Sequence, residues 1–345
     1  MKRIVYLFVA LLMMATADAQ TLTERQKGLA ACACLMAQGD MNRLEPTVRM
    51  ALNKGVTINE LKEAFSQLYA YTGFPRSLNA LGVLSKVLEA SPRGGLEGVW
   101  QEGKPWKRPA EWDDAKKAYE LGVKNQIQLS GKPFNYEFCP QDDYYLKSHL
   151  FGDIFAGDQL SAADREIVTV AALSGLEGVV PQLAAHKQGA VNMGNSQQLV
   201  DELCTWLCNE GYTLNTKWPK GEPNPYGKYF IGQSYLADVG GGVINVTFEP
   251  RCRNNWHIHH KQVQVLICVA GRGWYQEWGK APIPMTPGTV IAIPAEVKHW
   301  HGAQKDSWFQ HLTYHKDVQD GASNEWCEPV DDATYDTLNS NCCNK

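Results

Sequence analysis

The stretch Trp256-His257-Ile258-His259-His260-Lys261-Gln262-Val263-Gln264 sets the reading of the whole chain. On a strand, side chains at i and i+2 point to one face. His257 and His259 therefore converge on one point, His260 points away, and Gln264 opens the next strand with its amide oxygen in reach of that point. Further on, Pro287-Gly288 makes a turn, and Pro294-Ala295-Glu296-Val297-Lys298-His299 ends a strand in a proline turn that delivers another imidazole. Around these segments lie short runs of aromatic and β-branched residues at 229–236, 243–248, 263–269, 273–278, 290–293 and 308–314, punctuated by Gly and Pro. That spacing predicts a small all-β barrel or sandwich.

Three imidazoles and one amide oxygen make a neutral shell for one divalent transition ion. Zn, Ni, Fe, Mn or Cu all remain open for such a donor set. With no carboxylate among the ligands, the ion keeps its full charge toward a substrate oxygen and leaves positions open. A lone histidine reads more readily as a satisfied core or surface side chain. H-x-H, Gln and a proline-delivered His at matched spacing in a β-rich segment read as a metal centre. His301 shares a strand face with His299, and His311 shares one with Phe309 and Thr313. With Trp300 they are candidates to line the substrate side, or to hold the ligands by hydrogen bonds.

This pattern resembles the cupin superfamily. Its first motif runs H-x-H, three or four residues, Glu or Gln, six residues, Gly; here Gln264 is followed at that distance by Gly271. Its second motif is matched by Gly288, Pro294 and His299, with Glu296 where the family usually has Gly. The resemblance implies a double-stranded β-helix, or jelly-roll, barrel.

Ahead of the barrel the chain reads as helices. Thr23-Glu24-Arg25-Gln26 and Thr57-Ile58-Asn59-Glu60 have capping-box form, and Gly39-Asp40, Gly55 and Gly73-Phe74-Pro75 separate four helices that end near Ala90. The segment then repeats. Leu22-Thr23 answers to Leu160-Ser161, and Ala51-Leu52-Asn53-Lys54-Gly55 answers to Ala190-Val191-Asn192-Met193-Gly194. Two copies of a helical unit are expected to pack face to face over one core.

Arg165-Glu166-Ile167 opening one helix, His186 with Ala190 and Gly194 on the next, and the run from Gln67 through Gly73-Phe74-Pro75 to Ala80 are similar to the carboxymuconolactone decarboxylase family, over nearly all of 21–211. The resemblance implies an AhpD-like all-α fold, assembly into homo-oligomers, and one of two chemistries, lactone decarboxylation or thiol peroxidase partnership. The thiol branch needs C-x-x-C ahead of the histidine, and the matching positions here are Val179 and Gln182; the first copy has Thr47 at the histidine position. What remains is Glu166 orienting His186 as a general base. Arg76 is placed to grip a substrate carboxylate, with Tyr71 beside it. The plainer alternative is that the Glu–His pair ties two helices and Arg76 caps carbonyls.

The chain opens Met1-Lys2-Arg3, continues with an apolar run of 4–15 and reaches Ala17-Asp18-Ala19, the form of a signal peptide over 1–19. The run is too short to span a bilayer. A secreted or periplasmic protein is expected, with no membrane insertion of the mature chain. The net charge of −4, with interspersed signs, lacks the basic footprint that nucleic acid requires, so the expected partner is a small molecule. The ten cysteines read mostly as small core residues.

The expected architecture is a multidomain α + β chain. A first helical repeat covers 20–91, a linker 92–110, a second repeat 111–215, a linker 216–226, a cupin barrel 227–318 and a tail 319–345. The expected function is a metal-dependent decarboxylase or isomerase of a small carboxylated or lactone-like molecule. Its rivals are a ligand-binding barrel with a helical oligomerisation domain, and a redox protein working through Cys32, Cys34, Cys204 or Cys208.

Overall fold

The computed structural model describes residues 21–91, 99–214 and 216–338, so the expected export segment lies outside the described residues. The helical half comprises α1 (Glu24–Gln38), α2 (Met41–Asn53), α3 (Ile58–Gln67), α4 (Tyr69–Thr72), α5 (Phe74–Ala90), α6 (Ala115–Ser130), α7 (Pro140–Tyr145), a π-helical segment (Leu146–Ile154), α8 (Ala162–Ser174), α9 (Val180–Asn192) and α10 (Gln197–Asn209). Both capping boxes form as spaced: Thr23 and Gln26 bond reciprocally, and so do Thr57 and Glu60. Ser161 and Ser196 cap the corresponding helices of the second copy.

The repeat explains the core. α1 and α8 are corresponding members of the two copies, and they pack along one another at the centre. Gly28 to Ala37 in α1 and Arg165 to Leu173 in α8 are buried without interruption, as befits helices enclosed on all sides. Each Leu or Ile sealed there stabilises the fold by roughly 1.5–3 kcal/mol. The sequence does not announce the π-helical segment. It lies so close to α6 that a Cβ on Gly122 would stand 1.6 Å from the Lys147 carbonyl oxygen, and one on Gly152 would stand 2.3 Å from that of Ala118. Only glycine permits that approach.

The barrel is built of β1 (Glu222–Pro223), β2 (Phe230–Ile231), β3 (Ser234–Asp238), β4 (Ile244–Phe248), β5 (Arg253–Asn254), β6 (His257–His260), β7 (Val263–Gly271), β8 (Gly273–Glu277), β9 (Ile283–Met285), β10 (Val290–Ile293), β11 (His299–Ala303), β12 (Phe309–Lys316) and β13 (Ser323–Trp326), followed by a short α11 (Asp332–Asp336). One sheet has the order β1-β3-β4-β12-β7-β10. The other has β13-β6-β11-β5-β2, with β8 on β11 and β9 on β8. All pairings are antiparallel. The run expected as a single strand at 229–236 is two strands in different sheets. Gly232, at φ +88°, turns the chain between them. β13 falls in the stretch expected as a tail, yet it is a barrel strand paired with β6.

The halves are joined by specific bonds. Trp308 Nε1 donates to the Cys208 carbonyl at 2.7 Å, and Cys208 Sγ donates to the Asp306 carbonyl at 3.0 Å. Among the described residues no helix is long and apolar enough to cross a membrane.

Candidate metal centre

Strand alternation places the first two ligands. On β6, His257 and His259 are buried while Ile258 and His260 are only partly so. His299 opens β11 directly opposite His257. Ring centroids stand 4.1 Å apart for His257 and His299, 5.0 Å for His257 and His259, and 5.4 Å for His259 and His299. One nitrogen from each of the three lies within 4.8 Å of the others.

The hydrogen bonds decide which nitrogens face inward. His257 Nδ1 donates to the Asn255 carbonyl at 3.0 Å, and His299 Nδ1 to the Val297 carbonyl at 2.9 Å. A carbonyl only accepts, so these protons sit on Nδ1 and both Nε2 atoms are bare. His259 Nδ1 lies 2.6 Å from Asn324 Oδ1, and its Nε2 is buried with no hydrogen-bond partner. Gln264 completes the set. Its Nε2 donates to Thr313 Oγ1 at 3.2 Å, which turns Oε1 toward His299 Nε2 at 3.1 Å. Two lone pairs then face one another with no proton between them. A cation satisfies such a contact and the orphaned His259 nitrogen together, so the donor set fits a divalent transition ion.

Electrostatics point the same way. Burial, then the neighbouring imidazoles, push His257 well below the usual histidine range; burial lowers His259 and takes His299 to about 3. The rings are held neutral, as ligands must be. Glu296, in the place of the family glycine, adopts φ +68° and accepts from His260 Nδ1 at 2.6 Å and Lys261 N at 3.1 Å. The departure from the motif thus makes its own turn, held by the histidine that points away from the centre.

Deeper in the barrel, His301 and His311 lie with ring centroids 4.7 Å apart, and His301 stands 5.6 Å from His257. Asn254 holds His301, its Oδ1 accepting from the His301 amide at 2.9 Å. Burial pushes His311 down to about 4, and its Nε2 is fully enclosed without a partner. Trp300 is a correction. It alternates to the opposite face of β11, where it is 0% exposed, donates to Gln276 Oε1 at 2.8 Å and packs with Trp256, Trp274, Val330 and Tyr335. It supports the sheet from outside, on the face away from the imidazole cluster.

In the helical half, His186 Nδ1 and Glu166 Oε2 are 2.7 Å apart, and the Tyr71 ring meets His186 edge-on at 5.4 Å. The Tyr71 hydroxyl and Glu166 Oε1 are buried without hydrogen-bond partners. Arg76 is not brought to this group; its guanidinium turns toward Gly39 at the end of α1. Arg165 is structural, tying Gln67 Oε1 at 2.7 Å, the Gly157 carbonyl and Glu63. Burial pushes the Cys34 thiol up to about 12 and Cys32 further still, and raises Cys204 and Cys208. Such thiols are poor nucleophiles, and all eight cysteines among the described residues are free.

The comparisons agree with both halves. A family model described as carboxymuconolactone decarboxylase family matches residues 4–86, and one described as cupin domain matches 244–309. The chain belongs to the carboxymuconolactone decarboxylase–cupin fusions. This fusion is 41% identical over 91 residues to an (R)-mandelonitrile lyase of Granulicella tundricola, covering 26% of the fusion and 68% of that protein. A cupin-like protein of Thermotoga maritima shares 31% identity over 35% of the fusion and 96% of its own chain, with a TM-score of 0.33. A predicted oxalate decarboxylase of the same organism shares 14% identity over 27% and 89%, with a TM-score of 0.26. The family supports a lyase or cupin type of enzyme.

Among the residues that sequence reasoning did not select are Asn254, Asn324, Trp326, Tyr275 and His315. Each touches or flanks the imidazole cluster. Asn254 alone carried a signal, since it sits three residues before the H-x-H motif.

Proposed function

We propose that the fusion is an exported, metal-dependent lyase that breaks a carbon–carbon bond beside a hydroxyl-bearing carbon, with small 2-hydroxynitriles as the substrate class. One observation carries this reading: a sealed cluster of bare imidazole nitrogens and an amide oxygen, with the neutral, unpartnered His311 Nε2 among the same buried rings. His257, His259, Gln264 and His299 would hold the ion. A bound divalent ion supplies a Lewis acid that holds the substrate oxygen and disperses its developing charge.

The remaining steps belong to the chain. His311 Nε2 takes the hydroxyl proton, which its neutrality and missing partner suit it to do. The oxygen lone pair becomes the carbonyl double bond, the carbon–carbon bond breaks, and its electron pair leaves on cyanide. That anion takes the proton from His311 Nε2, which restores the base, and departs as hydrogen cyanide with the aldehyde. Asn254, with its Nδ2 3.0 Å from His301 Nε2, fixes the His301 ring, while Phe248 and Phe309 around His311 keep water from the base. The similarity to a lyase of (R)-mandelonitrile, a molecule with hydroxyl and nitrile on one carbon, supports this substrate class over carboxylic acids and lactones.

The test is elemental analysis of purified protein followed by assay of mandelonitrile and aliphatic cyanohydrins beside a panel of small carboxylic acids and lactones. Aldehyde and cyanide release that disappears together with metal in His257→Ala is the expected result. Full turnover by metal-free His257→Ala removes the metal reading. Turnover confined to the acids moves the enzyme to decarboxylation, and tight binding without turnover across the panel makes the barrel a binding module.

A further inference from the structure

We infer that β13 is a clasp for the metal site, in which Asn324 is the positioning residue that fixes the His259 ligand; the inference rests on the metal reading above. β13 lies antiparallel to the histidine strand in a register that sets Asn324 against His259 and Trp326 against His257. The side chains follow that register. Asn324 Oδ1 accepts from His259 Nδ1 at 2.6 Å. The Trp326 ring lies 4.9 Å from that of His257, and Tyr229 stacks on the outer face of Trp326 at 4.6 Å and 6°. Glu325 reaches His260 Nε2 at 2.9 Å, closing the clasp on the next residue of the motif.

The three ligand imidazoles are not supported alike. His257 and His299 each bond a backbone carbonyl two residues back in their own chain segment, an acceptor that no side-chain substitution removes. His259 alone takes its acceptor from a side chain, contributed from outside the two motifs. An asparagine amide can present oxygen or nitrogen, and the difference is large. Nitrogen toward His259 would move the ring proton to Nε2 and block the lone pair that must face the ion. Gln262 fixes the choice: its Nε2 faces the Ser323 carbonyl at 3.4 Å, which can only accept, and donates to the same Asn324 Oδ1 at 2.8 Å, so the oxygen lies between two donors. The chain Gln262 to Asn324 to His259 thereby points a bare Nε2 into the cluster, where it has no other partner. Partners of this kind outside the ligand set orient metal-bound histidines and change affinity when removed. His315 Nε2 stands 3.4 Å from His259 Nδ1, too far to replace a 2.6 Å acceptor in place.

The probe is Co2+ alone, added to chelator-stripped full-length protein and read by calorimetry and by the visible absorption of the bound ion. Asn324→Leu should weaken Co2+ by about 10–100-fold and change the absorption envelope. Asn324→Asp keeps an acceptor oxygen, offers no N–H, and should restore both affinity and spectrum. Thermal unfolding of the two stripped variants guards against a folding defect in the leucine form alone. Wild-type affinity and spectrum in Asn324→Leu would overturn the proposal, and so would equal weakening in both variants, which would make the contact merely structural. If the wild-type protein takes up no Co2+, the metal reading fails first, a result separate from either outcome.

Discussion

His311 is the residue whose surroundings say most about chemistry. It is 0% exposed among Phe248, Phe309 and His301, and only its Nδ1 has a hydrogen-bond partner, the Leu312 carbonyl at 3.3 Å. His311→Gln should retain stoichiometric metal by elemental analysis while turnover falls by about 100- to 10,000-fold, the range of a lost general base. Unchanged turnover would remove it from the mechanism. A second consequence is thermodynamic. As pH falls below the ordinary histidine value of 6.5, the unfolded chain takes up a proton that the folded barrel refuses until about 4. The stabilisation is therefore complete above 6.5 and declines on acidification through that window, by roughly 3 kcal/mol in the limit. In chelator-stripped protein, urea unfolding across pH 4 to 6.5 should lose about one proton of slope in His311→Gln. An identical slope would mean that His311 is charged in the folded state.

At the level of elements, the two-residue alternation of strands did the predictive work. It set His257 with His259 and His299 with His301, and turned His260 outward. It also explains one of the two substrate residues that were misplaced: Trp300 is next to two interior histidines in sequence and therefore faces away from both. Trp300→Ala should cost about 3–5 kcal/mol in urea unfolding and leave metal content intact; loss of metal with little loss of stability would reverse that assignment. Other elements were illegible for physical reasons. β13 is four residues long and polar, and only its partner β6 makes it a strand. The π-helical segment owes its place to glycines on α6 and within itself that allow backbone contact, a tertiary cause with no local signature. Arg76 had a plausible neighbourhood in sequence, but one helical face decides direction, and its face looks toward α1.

Across the whole molecule, the helical pair His186–Glu166 and the barrel histidines form two separate groups, linked by no hydrogen bond or ring contact among those described. His186→Ala should therefore leave barrel metal content and cyanohydrin turnover within about two-fold of wild type, since distant sites act independently. A matched loss of both would show that the centres work as one. Oligomerisation through the helical half and export remain proposals, tested by light scattering and by the mature N-terminus. The seam between the halves has a further meaning. Trp308, bonded to Cys208, immediately precedes β12, and Gln310, bonded to Thr216 at 2.5 Å, lies within it, one residue before His311. The end of α10 and the linker after it thus hold the root of the strand that carries His311. The two folds are riveted rather than leashed at this point, so a shift of α10 would be carried straight to the residues flanking His311.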